Sequence, residues 1–256
     1  MRLGIVGCGA IGTELAKFAA DQPEITEILL FDQIADRATH LARQTKGAKA
    51  AASGEALVKA SDLVIECASQ DAARVYLPLA VGAGKSVMCL SVGAFVDDKF
   101  RQKLTETARQ KGVKIFLPSG AICGIDGLKA AALARVRSVT LVTTKPPEAL
   151  GIKTDRWTIV FDGTARDAVK KFPQNVNVAA ALSLAGIGFE ATRVQVVADP
   201  LATRNNHKVI FEGDFGRVRL EVDNLPSPSN PKTSYMASLS AMATLRRILD
   251  PIQLSA

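Results

Sequence analysis

The chain has 256 residues, room for one large domain or two modest ones, and its 48% hydrophobic and 22% charged residues are the mix of a folded soluble protein. Two tyrosines and one tryptophan leave little material for stacking nucleic-acid bases, and the basic residues behind the net charge of +7 form no run. That excludes an extended polynucleotide surface and favours small anionic ligands.

The opening, MRLGIVGCGAIG, enters a strand at once and lacks the pattern of a secretory signal. No apolar run approaches a membrane span. Cys8, Cys67, Cys89 and Cys123 form no CxxC and no zinc-spaced cluster. A cytoplasmic protein with free thiols, no metal and no membrane contact is expected.

Through the first 120 residues, short apolar runs alternate with helix-like stretches. The runs are Leu3–Val6, Ile28–Phe31, Leu63–Ala68, Ser86–Ser91 and Lys114–Leu117. They are continuous rather than alternating, as strands buried on both faces are. Between them, Gly12–Ala20, Ile34–Thr45, Gly54–Lys59, Gln70–Gly82 and Asp97–Lys111 read as helices. This alternation predicts an α/β fold built on a doubly wound parallel sheet of the Rossmann type.

After Pro118 the pattern changes. Leu128–Arg135 reads as a helix, Ser138–Thr144 as a strand, and residues 164–186 as helical with a break at Pro173. Arg193–Ala198, His207–Glu212 and Gly216–Val222 read as strands, the last two joined by a hairpin turn. Late strands without interleaved helices predict a second α+β domain with a mainly antiparallel sheet. The proline-rich stretch Pro226–Lys232 reads as a loop before a final helix, Ser234–Leu249. The expected division is a first domain of 1–121 with 234–256 returning to it, and a second of 122–233.

Gly7-Cys8-Gly9-Ala10-Ile11-Gly12 is a GxGxxG in the right context, with a strand before it and a helix after it. Gly7 permits a tight turn, Gly9 lets backbone approach a pyrophosphate, and Gly12 lets helix and strand pack. The N–H groups of Ala10 and Ile11 belong to a helix start suited to phosphate. Asp32, twenty positions beyond Gly12, is placed to accept from ribose hydroxyls. That favours NAD over NADP, although Arg37 nearby softens the distinction. Ala68 and Ser69, at the end of the third apolar run, sit where open parallel sheets bind ligands. Their small size also serves a plain tight loop.

Of the two histidines, His40 lies on a charged helix and reads as a surface residue. His207 opens a strand, where it is either a packed polar group or an acid/base that titrates near neutrality. Asn175 and Asn177 precede an apolar helix, as caps or as ligand donors. Asn230-Pro231-Lys232-Thr233-Ser234 is either a capped helix start or a seat for a carboxylate.

Taken in order, GCGAIG, PSGAICGIDGLKAA, NVNVAAALSLAG, RNNHKV and NPKTSYMASLSAMATLRRI resemble the L-aspartate dehydrogenase family over nearly the whole chain. The resemblance implies oxidation of L-aspartate by NAD or NADP to iminosuccinate, which hydrolyses to oxaloacetate and ammonia. The reverse amination, a supply of iminosuccinate for NAD synthesis, and a homodimer paired through the second domain's sheet are implied with it. His207 matches the family's active-site histidine, and Ala121 and Asn177 match its NAD-contacting positions. The stretch between Ala121 and Asn177 is shorter than in some members, which leaves Asn175 as the alternative. Asn206, Lys232, Thr233 and Ser234 become the candidates for the substrate carboxylates. A dihydrodipicolinate reductase-like enzyme would carry paired histidines, which this chain lacks. A non-catalytic NAD sensor would not need so developed a second domain.

Overall fold

The computed structural model describes residues 1–172, 177–228 and 230–253, with only the backbone of 230–233. It divides into two compact units, one of Met1–Pro118 with Ala241–Ile252 and one of Ser119–Ser240 with the C-terminal residues.

In the first unit the strands are β1 (Arg2–Val6), β2 (Glu27–Phe31), β3 (Ala48–Ala50), β4 (Leu63–Glu66), β5 (Ser86–Cys89) and β6 (Ile115–Phe116). The helices between them are α1 (Ala10–Ala20), α2 (Ala35–Gln44), α3 (Gly54–Ala60), α4 (Gln70–Gly82) and α5 (Asp98–Lys111). All six strands are parallel, in the order β3-β2-β1-β4-β5-β6. The order reverses between β1 and β4, the switch point at which such sheets bind ligands.

Leu3, Ile5, Leu63 and Ile65 are buried to 2% exposure or less, which is why their runs lack alternation. Helix starts follow the local chemistry. Ser53, Ser69 and Asp97 each accept a hydrogen bond from a backbone N–H in the first turn of α3, α4 and α5. β3, an Ala-Lys-Ala edge strand, is absent from the sequence reading. It has no apolar run of its own and is held by its ladder to Ile28–Leu30 of β2.

The second unit begins with α6 (Ile125–Ala131) and β7 (Val136–Lys145), then β8 (Thr158–Thr164), α7 (Ala165–Lys171), α8 (Asn177–Ala185), α9 (Gly188–Ala191), β9 (Thr192–Ala198), β10 (Asn205–Gly213) and β11 (Gly216–Asn224). β12 (Pro226–Ser227), β13 (Asn230–Ser234) and α10 (Tyr235–Leu249) complete the chain. Its five-stranded sheet runs β11-β10-β7-β9-β8, with only β7 and β9 parallel. The helix expected over Leu128–Arg135 starts earlier and stops at Ala131, because Arg135 already lies against the β10–β11 hairpin and accepts from Asp214 N–H at 3.0 Å. The stretch expected as a loop, Pro226–Lys232, instead contributes a two-stranded antiparallel pair. Pro226 fits there as the first residue of its strand, where its missing N–H costs least. Pro173 lies outside the described residues.

No helix among the described residues is long and apolar enough to cross a membrane. The returning C-terminal segment is part of the first unit's core, since Ala241 and Leu245 are fully buried with Leu3, Leu15, Ile28 and Met88. Replacing Leu245 with Ala should therefore lower stability by about 2–4 kcal/mol, read as a drop in the urea midpoint with an unchanged slope.

Candidate active site

The glycine turn is built by three contacts. Gly7 has φ of 103°, in the left-handed region, and its N–H donates to Phe31 O at 2.8 Å. A Cβ at Gly7 would lie 2.9 Å from Ala68 atoms, and a Cβ at Gly12 would overlap the Gly7 carbonyl oxygen. Gly9 is exposed, with open space where its side chain would be. α1 follows directly, and its first helical bond is Thr13 N–H to Gly9 O at 2.9 Å. The N–H groups of Ala10, Ile11 and Gly12 precede that bond and form the positive end of the helix. This cradle, open at Gly9 and closed to any side chain at Gly7 and Gly12, fits the pyrophosphate of a dinucleotide.

Asp32 follows β2 and reaches back into the turn. One carboxylate oxygen accepts from Cys8 N–H at 2.8 Å, and the other from Ile34 N–H at 2.9 Å. Each oxygen keeps a lone pair for a further donor. Ala68 and Ser69 are exposed on the neighbouring turn, where the Ser69 hydroxyl caps α4 by accepting from Ala72 N–H. Burial, reinforced by Asp32, pushes the Cys8 thiol up to about 12, so it acts as a packed apolar group rather than a nucleophile.

In the second unit, strand alternation turns Val139, Leu141, Thr143 and Lys145 of β7 to the buried face, with His207, Val209 and Phe211 of β10 beside them. His207 is 4% exposed, and its Nδ1 shares a hydrogen bond of 3.0 Å with Thr143 Oγ1. Burial first, and the charge of Lys145 second, hold the imidazole down at about 4. Burial also lowers Lys145 from the ordinary lysine value. At neutral pH the histidine is therefore an uncharged imidazole whose Nδ1 is tied to one threonine, and Nε2 is the nitrogen that bond leaves available.

Ala121 is buried, its carbonyl accepting from Asn224 Nδ2 at 3.1 Å. The oxygen of that amide, Asn224 Oδ1, is buried with no partner among the described residues. Asn177 is the first residue of α8, and the next residue, Val178, lies 3.8 Å from where a Cβ on Gly120 would stand. The Ala121 loop and the α8 start are thus neighbours although 56 residues apart in sequence. Ser234 is buried at the end of β13.

Asn206 falls on the face of β10 opposite His207 and donates to Glu221 and Asp223 at 3.1 and 2.9 Å. Two acidic partners make that a poor seat for a substrate carboxylate. Asn175 and the side chains of Lys232 and Thr233 lie outside the described residues. His40 is exposed on α2. Sequence reasoning missed Lys145, Thr143, Asn224 and the fully buried Glu66. The period-two pattern of β7 was the available signal for the first two, since Thr143 and Lys145 share the phase of Val139 and Leu141.

Glycine turn, helix start and strand-end acid, on a sheet of this order, define a two-domain dehydrogenase of the Rossmann class. Residues 7–118 match the family model described as homoserine dehydrogenase, NAD binding domain, and residues 126–248 match aspartate dehydrogenase, C-terminal. The chain is 48% identical to L-aspartate dehydrogenase of Methanosarcina acetivorans, with 99% of each covered. It is 42% identical to that of Methanothermobacter thermautotrophicus, covering 99% of this chain and 98% of the relative. Among solved structures, aspartate dehydrogenase from Thermotoga maritima matches with a TM-score of 0.82 and 28% identity over 99% of both chains. The chain belongs to the L-aspartate dehydrogenase family.

The His207 environment has a measurable consequence. Below pH 6.5 the unfolded chain takes up a proton at this imidazole that the folded protein refuses until about pH 4, so stability falls as the pH drops through that window. The full effect is about 3 kcal/mol. Urea unfolding of wild type and His207→Gln at several pH values should show a shallower acid slope in the variant.

Proposed function

We propose that this protein oxidises L-aspartate with NAD or NADP to iminosuccinate, which hydrolyses to oxaloacetate and ammonia. It would serve NAD synthesis by supplying iminosuccinate. Family membership supports the reaction. The observation that carries the mechanism is the buried, neutral His207 held by Thr143.

Gly7, Gly9, Ala10, Ile11 and Gly12 would hold the pyrophosphate, Asp32 the adenosine ribose, and Ala68, Ser69, Ala121 and Asn177 the remainder of the dinucleotide. When bound, the cofactor accepts the hydride that leaves Cα of aspartate. Asp32 opposes a 2′-phosphate by charge, which makes NAD the preferred form of the two.

His207 acts as the acid/base. With the Nδ1 proton donated to Thr143 Oγ1, Nε2 presents a lone pair that takes a proton from the substrate ammonium or from the water attacking the imine. The bond to Thr143 fixes the ring, and the hydroxyl serves either tautomer because it can donate or accept. An imidazolium beside Lys145 is disfavoured in the free enzyme. The two carboxylates of a bound dicarboxylic amino acid offset that penalty, so the base strengthens when the right substrate arrives. Ser234, Lys232 and Thr233 are the groups proposed to hold those carboxylates. A homodimer paired through the second unit's sheet belongs to the same proposal.

The test is a screen of purified protein against amino acids with NAD and with NADP. Reduction of NAD with aspartate, and little with monocarboxylic amino acids, is expected. Tight NAD binding with no turnover on any amino acid would overturn the reading in favour of a dinucleotide sensor. Replacing His207 with Ala should lower kcat by about a hundredfold or more while NADH binding persists. Unchanged turnover would remove the histidine from the mechanism.

A further inference from the structure

A buried carboxylate stands one step behind the dinucleotide turn. Glu66, the last residue of β4, is 0% exposed and has five hydrogen-bond donors around it. Its Oε1 accepts from Ala68 N–H at 2.8 Å, Ser69 N–H at 2.9 Å and the Ser91 hydroxyl at 2.9 Å. Its Oε2 accepts from Ser91 N–H and the Cys89 thiol, both at 3.2 Å. Two of these donors come from the β4–α4 turn and three from the end of β5, so one side chain joins the end of β4, which borders the switch point, to the end of the next strand.

The turn it holds is not remote from the cofactor cradle. The Ala68 backbone and Cβ are the atoms that close Gly7 to any side chain. The Cys67 thiol donates to Gly7 O at 3.2 Å, and Cys67 N–H donates to Val6 O at 2.9 Å. Glu66, its turn and the glycine turn therefore form one continuous packed unit. An ionisable group is costly to bury, and an apolar side chain would fill the same volume without that penalty. What an apolar side chain lacks is the set of acceptors that fixes two loops at once.

We propose that Glu66 is a positioning residue of the dinucleotide site, tying the β4–α4 turn to the end of β5 so that the turn meets the cofactor in one conformation. This rests on the proposed use of NAD. The chemistry of the array makes Glu66→Gln informative. Its amide keeps one oxygen for part of the donor set but turns an NH2 group toward the remaining donors. Shape is conserved, and the tie between the two loops is broken on one side.

The experiment titrates NADH by fluorescence into wild type, Glu66→Gln and Ser91→Ala, with thermal unfolding of each apoprotein and steady-state kinetics alongside. Ser91→Ala removes only the hydroxyl donor, and it carries the test should Glu66→Gln not fold. The expected result for Glu66→Gln is a Kd for NADH raised roughly tenfold to a hundredfold, with a smaller rise for Ser91→Ala. The KM for NAD should rise in step while kcat at saturating NAD stays within about twofold. A lowered Tm with wild-type Kd and KM would show a purely structural carboxylate and overturn the inference. If wild type itself binds no NADH, the NAD reading falls and this inference with it. If wild type binds and both variants bind equally well, this inference alone falls.

Discussion

The first unit depends on how closely two turns approach at the carboxyl edge of its sheet. Gly7 and Ala68 come from neighbouring strands, and their backbones meet at a distance that leaves no room for a side chain between them. That contact sets where α1 begins, and so where its free N–H groups point. Two carboxylates brace it from opposite sides. Asp32 holds the glycine turn from β2, and Glu66 holds the Ala68 turn from β4. Backbone amides inside a protein need partners, and here acidic side chains supply them where no ladder or helix does.

The second unit solves a different problem. Its sheet turns a lysine and a histidine to the same buried face, where charge is expensive. Burial and the charge of Lys145 hold down the proton affinity of the histidine, and its Nδ1 has a hydroxyl partner. A base of that kind is weak alone and gains strength from anionic neighbours, which couples its proton affinity to what is bound beside it.

The sheet of the first unit was legible because continuous apolar runs bounded by helix signals have few other solutions. The glycine motif was legible for the same local reason, since its spacing and its flanking elements lie within one stretch of chain. Strands with no hydrophobic signature were not: β3 is made by its neighbour, and β12 and β13 by each other, against a composition that reads as loop. β8 also went unread although it holds the apolar run Ile159–Phe161; it runs directly into the helical segment that Thr164 caps.

By itself the sequence determined the alternating architecture, the glycine turn with an acid at Asp32, and that His40 lies on a charged helix while His207 opens a strand. Those follow from short-range pattern and from residue chemistry that needs no partner. Only the tertiary structure decided which groups stand around them. It set Thr143 and Lys145 against His207, Asn224 against Ala121, and the end of β5 around Glu66, and it turned Asn206 away to the other face of its strand. Each of these is a meeting of residues from different elements. Burial, which sets the charge state of a histidine or a carboxylate, exists only once those elements have packed.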